Sequence, residues 1–314
     1  MPSWNDLLSE FNANQDPNDP SIATKWLTDK MNNTLADVRR LRGNRNVILY
    51  GSAFLQKPDI PNNNITITNE DLNGLMSVIH RMNCSLGLSL ILHTPGGQTN
   101  ATETFVSYLR TKFTDIEVIV PAFAMSAGTM ISLSADRIIM GRQSQLGPID
   151  PQMQLSNGGS ISARAVTEQF DRAQKDVLGN VANAHVWAPI VQSLGPSLLQ
   201  EAQNALDYSE TMVARWLAKA MFKSATDPAA EGNRVAHHFN DATTHKSHGR
   251  RIDRDEARGQ GVVVDDLEDE QPLQEAVLTV YHLMTLMFGR GETVKVFWSD
   301  SGSIWAKNWA GAAP

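Results

Sequence analysis

The sequence predicts an α/β protein built on a largely parallel sheet. Three observations lead there. Short apolar runs recur through the first half of the chain, each halted by Gly, Pro or a polar turn. Segments with apolar residues at helical spacing separate them. Strand and helix patterns therefore alternate, and successive parallel strands joined by helices give right-handed crossovers.

The elements follow in order. Residues 1–45 read as an N-terminal extension with one or two helices, the clearest over Ala23–Leu41. Asn46-Val47-Ile48-Leu49-Tyr50 is a buried strand ending at Gly51. Thr66–Asp71 caps a helix through Met76, Ile79 and Met82, with Glu70 and Asp71 near its positive end. Leu88–His93 is a second strand, halted by Thr94-Pro95-Gly96-Gly97, and a helix pattern follows through Phe105 and Leu109. Glu117–Val120 is a third strand, ending at Pro121. Ala127–Leu133 is a short apolar helix and Arg137–Met140 a fourth strand. Beyond residue 160 the pattern turns helical, over Ala163–Val177, Pro196–Met221 and Leu273–Phe288, with a short helix and a return to strand within Gly249–Val264. Ser224–Ser247 is polar and carries histidines. The expected division is 1–45 extension, 46–290 catalytic domain and 291–314 tail, the last carrying Trp298, Trp305 and Trp309.

Composition narrows the function. The chain has 314 residues, 41% hydrophobic and 19% charged, as a globular protein has. The net charge of -7, from 34 acidic and 27 basic residues, argues against a dedicated nucleic-acid or anionic-membrane surface. Cys84 is the one cysteine, which excludes an intrachain disulfide and a Cys-rich zinc site and fits a reducing compartment. The first twenty residues lack the basic-then-apolar pattern of a signal peptide, and no run of about 18 apolar residues occurs. A cytoplasmic protein with no stable membrane insertion is expected.

Two segments carry chemistry. In Leu92-His93-Thr94-Pro95-Gly96-Gly97 a strand end meets two glycines, which permit unusual backbone angles and let N–H groups approach a ligand. Many such segments are only turns. In Pro121-Ala122-Phe123-Ala124-Met125-Ser126-Ala127-Gly128-Thr129 a strand leads through small residues to a serine at a helix mouth. Free N–H groups there can hold an oxyanion. The same serine would also serve as a plain helix cap.

Together with Ser144-Gln145-Leu146-Gly147-Pro148-Ile149-Asp150-Pro151-Gln152 and the distal Ser247-His248-Gly249-Arg250, these pieces, in this order, resemble the Clp protease/crotonase superfamily. Within its signal-peptide-peptidase-A branch they look like the serine dehydrogenase proteinases. The resemblance covers roughly residues 45–290. It implies a spiral α/β core with a helical C-terminal extension and a serine protease or peptidase of endopeptidase type. Ser126 would attack the scissile carbonyl. Gly97 and Ala127 N–H groups, with Gly96 shaping the turn, would form the oxyanion hole. Such a donor is worth about 3–4 kcal/mol in the transition state. It also implies a homo-oligomer acting on peptides or unfolded protein.

The general base is open at this point. The stretch 144–152, where Clp proteases place a histidine, has none. Signal peptide peptidase A uses a downstream lysine, and the only lysine between Ser126 and residue 218 is Lys175, on a polar helical pattern without that family's lysine motif. His248 and His93 are the alternatives. Asp150 would orient a base or bind a substrate amine, or simply fix its loop. His237, His238, His245 and His248 cluster without a zinc-helix spacing, so no metal is expected. No Gly-x-Gly-x-x-Gly fingerprint or pyridoxal-phosphate signature appears, so no cofactor is expected and serine dehydrogenase activity has little support. Two other functions remain: a crotonase-type acyl-CoA enzyme using the same oxyanion hole, and a non-catalytic assembly protein that kept the fold.

Overall fold

The computed structural model describes residues 3–154, 159–194 and 197–310. Its helices in chain order are α1 Trp4–Ala13, α2 Ser21–Leu41, α3 Asp71–Ile79, α4 Thr99–Lys112, α5 Ala127–Leu133, α6 Ala163–Gly179, α7 Ala184–Leu194, α8 Leu198–Lys219, α9 Pro228–Asn240, α10 Ala242–His245, α11 Arg254–Gly259 and α12 Gln271–Arg290. The strands are β1 Asn46–Ser52, β2 Leu88–His93, β3 Ile116–Val120, β4 Phe123–Ala124, β5 Arg137–Met140, β6 Gln145–Leu146, β7 Gln152–Gln154, β8 Ser160–Ser162, β9 Val264–Asp266, β10 Thr293–Ser299 and β11 Ile304–Asn308.

The chain divides into two compact units, one of residues 1–146 with 252–314 and one of 147–251. The first holds a seven-stranded sheet ordered β11-β10-β1-β2-β3-β5-β9. From β1 to β9 every pairing is parallel, and only β10 is reversed, pairing antiparallel with β1 on one side and β11 on the other. The predicted α/β class with a largely parallel sheet is what the chain adopts. Successive side chains point to opposite faces. Val47, Leu49, Ile91, Ile119 and Ile139 join one core with Leu27, Met31, Leu35 and Val38 of α2 and Val277, Val280 and Leu283 of α12. Tyr50 instead stacks on Phe297 and meets Phe105 of α4.

Three boundaries differ from the sequence reading. The helices before residue 46 share the core of the sheet, since Leu7 and Phe11 of α1 belong to the same cluster as α2 and β1. Residues 293–308 are sheet rather than tail. Val294, Val296, Phe297 and Trp298 are buried because β10 covers the edge of β1. Trp298 Nε1 donates to Asn32 Oδ1 at 2.8 Å, Trp305 packs edge-on against Phe297, and Trp309 is exposed. Finally, the expected 46–290 domain is interrupted. Leu146 and Ile252 exchange both backbone hydrogen bonds at 2.9 Å, so the chain leaves the sheet unit and re-enters it at one point.

Residues 147–251 form a helical unit with the β7–β8 hairpin. Ala163 and Val166 of α6 pack with Leu198, Ala202 and Leu206 of α8. A start of this helix at Pro196, as the pattern suggested, lies outside the described residues. The polar segment after residue 224 hides a further helix, α9. Asp227 caps it by accepting from Ala230 N at 3.0 Å, and Val235, Ala236 and Phe239 form its buried face. At Gly232 a Cβ would lie 2.4 Å from the Ala214 carbonyl oxygen, so α8 and α9 approach closely there.

Candidate active site

In an open α/β sheet, ligands gather beyond the carboxyl ends of the strands. Both glycine- and serine-bearing segments leave the sheet at that end. Beyond β2, Thr94 N donates to Phe123 O at 2.9 Å and Thr94 O accepts from Met125 N at 3.1 Å. This short parallel pairing draws the turn after β2 against the turn after β3. At Gly96 φ is +106°, and a Cβ would lie 2.7 Å from Ser126 Cβ and 2.8 Å from the Met125 carbonyl oxygen. Only glycine fits. Gly97 is held from its other side: Ile67 N donates to Gly96 O at 2.8 Å and Gln98 N to Ile67 O at 2.9 Å. This bridge leaves the Gly97 N–H out of its ladder.

Ser126 stands at φ 51° and ψ -114°, a conformation that costs a non-glycine residue roughly 1–3 kcal/mol. Its neighbours hold it there. Gly128 N donates to Met125 O at 2.7 Å, Met130 N to Ser126 O at 3.0 Å, and Thr129 Oγ1 to Ala124 O at 2.8 Å. Ser126 occupies the N-cap position of α5, yet its side chain makes no capping hydrogen bond. The capping explanation for this serine therefore fails. The residue is half-buried, with part of its surface open. A strained serine on a tight strand-to-helix turn has the geometry of a nucleophile elbow. Ala127 is the first residue of α5, so its N–H is among the donors that helix geometry leaves without an intrahelical partner. Gly96, Gly97, Ser126 and Ala127 are thus brought together by backbone bonds within one unit.

The base candidates divide differently. His93, the last residue of β2, is fully buried beside Phe54, Phe123 and Tyr281, and neither ring nitrogen has a hydrogen-bond partner. Desolvation pushes its pKa down to about 3. A group so weakly basic accepts a proton poorly near neutral pH, so His93 does not have the properties of the base. Lys175 lies on the exposed face of α6 in the 147–251 unit. The burial that would turn a lysine into a base is absent there.

His248 belongs to the same unit and is paired. Its Nδ1 lies 2.7 Å from Asp150 Oδ1, with Asp150 1% and His248 30% exposed. Since a carboxylate oxygen accepts, Nδ1 is the donor in this pair, and the lone pair of a neutral ring would then be at Nε2. Gln152 Nε2 donates to the other Asp150 oxygen at 2.8 Å, so one carboxylate holds both a neighbouring loop side chain and the His248 ring. A cavity of about 260 Å³ opens here, lined among others by Asp150, Arg164, Lys246 and His248. The remaining histidines of the cluster have other neighbours. His237 pairs with Glu210 at 3.1 Å, and His245 lies 2.7 Å from His238 O and 2.9 Å from Arg250 Nη1. Among the described residues no three potential metal ligands converge.

One buried pair was not singled out from sequence. Lys295 of β10 and Asp71 of α3 form an ion pair at 2.8 Å, 0% and 1% exposed. Burial pushes the Lys295 ammonium pKa down and the Asp71 carboxyl pKa up, while their mutual attraction opposes both shifts. The available signal was a lysine inside an otherwise apolar strand pattern, Val294-Lys295-Val296-Phe297-Trp298.

Among curated proteins, two uncharacterized proteins of Methanocaldococcus jannaschii match. One is 30% identical over 159 residues, covering 50% of this chain and 52% of the relative. The other is 37% identical over 112 residues, covering 36% and 39%. The chain thus spans about half the length of one relative and less of the other. Among solved structures, a variant of the 1510-N membrane-bound stomatin-specific protease aligns at 19% identity and TM-score 0.39, covering 67% of this chain and 79% of that one. Another variant of that protease, in complex with a substrate peptide, aligns at 20% identity and TM-score 0.38, covering 64% and 71%. No helix among the described residues is long and apolar enough to cross a membrane. The family model described as ClpP-like SDH-type serine proteinase matches residues 20–186, a span that includes Gly96, Gly97 and Ser126, and the chain belongs to that family.

Proposed function

We propose that the protein is a serine endopeptidase-like hydrolase in which Ser126 is the nucleophile. The observation that carries this reading is the strained backbone of Ser126, held against Gly96 with its hydroxyl unused as a cap. Ser126 Oγ attacks the scissile carbonyl carbon as its proton passes to the base. The Gly97 and Ala127 N–H groups donate to the tetrahedral oxyanion. Collapse returns the proton to the leaving amine and leaves an acyl-enzyme, which water hydrolyses in the second half. As base we favour His248 over Lys175, because His248 is oriented by a buried carboxylate while Lys175 is an exposed lysine. No cofactor enters these steps.

The substrate in this reading is a peptide or unfolded protein segment. Self-association and a cytoplasmic working place belong to the same proposal. The exposed Leu178, Val181 and Val186 support the first, and the single cysteine fits the second. Labelling with a fluorophosphonate probe tests the nucleophile. Wild type should label and folded Ser126→Ala should not. Labelling that persists in Ser126→Ala overturns Ser126 as the nucleophile, and a folded wild type that stays unlabelled and binds coenzyme A tightly overturns the peptidase reading in favour of acyl-CoA chemistry.

A further inference from the structure

We propose that Lys295 and Asp71 are positioning residues, whose buried ion pair clamps the segment Thr66–Thr68 and through it sets the Gly96–Gly97 turn. The role of that turn as oxyanion hole rests on the peptidase reading above; the clamp itself does not.

The bonds run continuously. Lys295 Nζ contacts both Asp71 carboxylate oxygens at 2.8 Å and donates to Thr66 O at 2.7 Å. Asp71 Oδ2 accepts from Thr68 N at 2.8 Å. The residues on either side of Ile67 are therefore fixed by the two members of the ion pair. Ile67 passes this on, as its N–H donates to Gly96 O and its carbonyl accepts from Gln98 N. No slack exists at the junction, because a Cβ on Gly97 would stand 2.3 Å from Ile67 N and O. A second branch ends at the same turn. Tyr50 OH donates to Asp71 Oδ2 at 3.4 Å and also meets Thr94, whose Oγ1 accepts from Gly96 N at 3.2 Å.

Energetics favour a positional role. Removing two charges from water is expensive, and a buried ion pair is often no more stabilising than apolar residues of similar volume. What apolar residues cannot supply is a grip on the Thr66 carbonyl and the Thr68 N–H. Donors aimed at an oxyanion must be fixed before the charge develops, so a small displacement of the turn lowers kcat.

The test replaces the pair by Lys295→Met with Asp71→Leu and follows two signals below the melting temperature. The first is amide exchange of the peptide spanning the turn, where Gln98 N–H should exchange at least tenfold faster. The second is turnover of a peptide substrate with the rate of fluorophosphonate labelling of Ser126, where kcat and labelling should fall at least tenfold with KM little changed. Leu35→Ala in α2, a core truncation of the same sheet unit, is the control for lost stability and should leave both signals at wild-type values. Unchanged exchange in a folded double variant overturns the clamp. Faster exchange with wild-type labelling overturns its bearing on the serine. If the double variant does not fold, Lys295→Arg, which keeps the charge and changes its reach to Thr66 O, is read in the same way. A wild type that never labels refutes the peptidase reading, and the exchange signal still decides the clamp.

Discussion

Around Ser126 the groups proposed to act are backbone atoms held by other backbone atoms, whereas in the 147–251 unit they are side chains held by other side chains. Gly96, Gly97 and Ala127 contribute N–H groups or room, and bonds from Thr94, Ile67 and Met125 fix their places. His248 contributes a ring whose orientation depends on Asp150, 98 positions away in sequence. The two constructions tolerate change differently. A backbone donor survives most substitutions at its own position unless the new side chain collides. A side-chain base is lost with a single replacement.

The largest expected effect follows from that contrast. His248→Gln should lower kcat by about 10²–10⁴-fold, the usual worth of a general base, with KM nearly unchanged. Asp150→Asn should lower it by less, since the ring survives and only its orientation and tautomer are disturbed. Lys175→Ala, at an exposed position, should stay within about twofold of wild type. Steady-state kinetics on one peptide substrate decides the matter. An inactive Lys175→Ala beside an active His248→Gln would reverse the assignment.

A smaller effect, read by pH, concerns His93 in the sheet unit. His93 is buried and unpartnered, with a folded pKa of about 3. Its unfolded value is near 6.5, so between these limits the unfolded chain binds the extra proton. Stability is therefore complete above about pH 6.5 and falls toward pH 3, by about 1.4 kcal/mol per unit from this group. His93→Phe, an aromatic among Phe54, Phe123 and Tyr281, should remove that part of the loss. Urea unfolding at pH 7.5 and pH 5 should show wild type losing about 2 kcal/mol more than the variant. Equal losses in both would mean that His93 is not the proton-sensitive group.

The same contrast explains what could be read from the sequence. The strands of the sheet unit were legible because each is a short apolar run with a defined stop, and a parallel sheet buries both faces of its strands. Gly96, Gly97 and Ser126 were legible because the turn chemistry is local. Three things were not. A tail with tryptophans reads as an appendage until β10 is seen to cover the edge of β1. The Lys295–Asp71 pair joins residues 224 positions apart in the chain, and neither residue's neighbours announce the other. Asp150 looked like a loop-fixing residue, which it is, but its other oxygen holds His248. Spacing along a chain reveals local geometry, and pairings across it emerge only on folding.

The smallest expected effect concerns apolar surface. In the sheet unit the exposed apolar residues, such as Trp4, Leu55 and Met76, are scattered along the chain and each at most about half exposed, at 40%, 46% and 47%. In the 147–251 unit Leu178, Val181 and Val186 fall within one short stretch at 79%, 77% and 66%. Leaving such side chains in water forgoes roughly 1.5–3 kcal/mol each, which burial against a second copy would recover in part. Leu178→Glu with Val181→Glu should therefore raise the midpoint concentration of self-association at least tenfold, about 1.4 kcal/mol, as read by light scattering across a dilution series. The fold should be intact, because neither side chain is buried. A wild type that stays monomeric at high concentration would remove the homo-oligomer from the proposal. An unchanged midpoint in the double variant would place the contact elsewhere on the molecule.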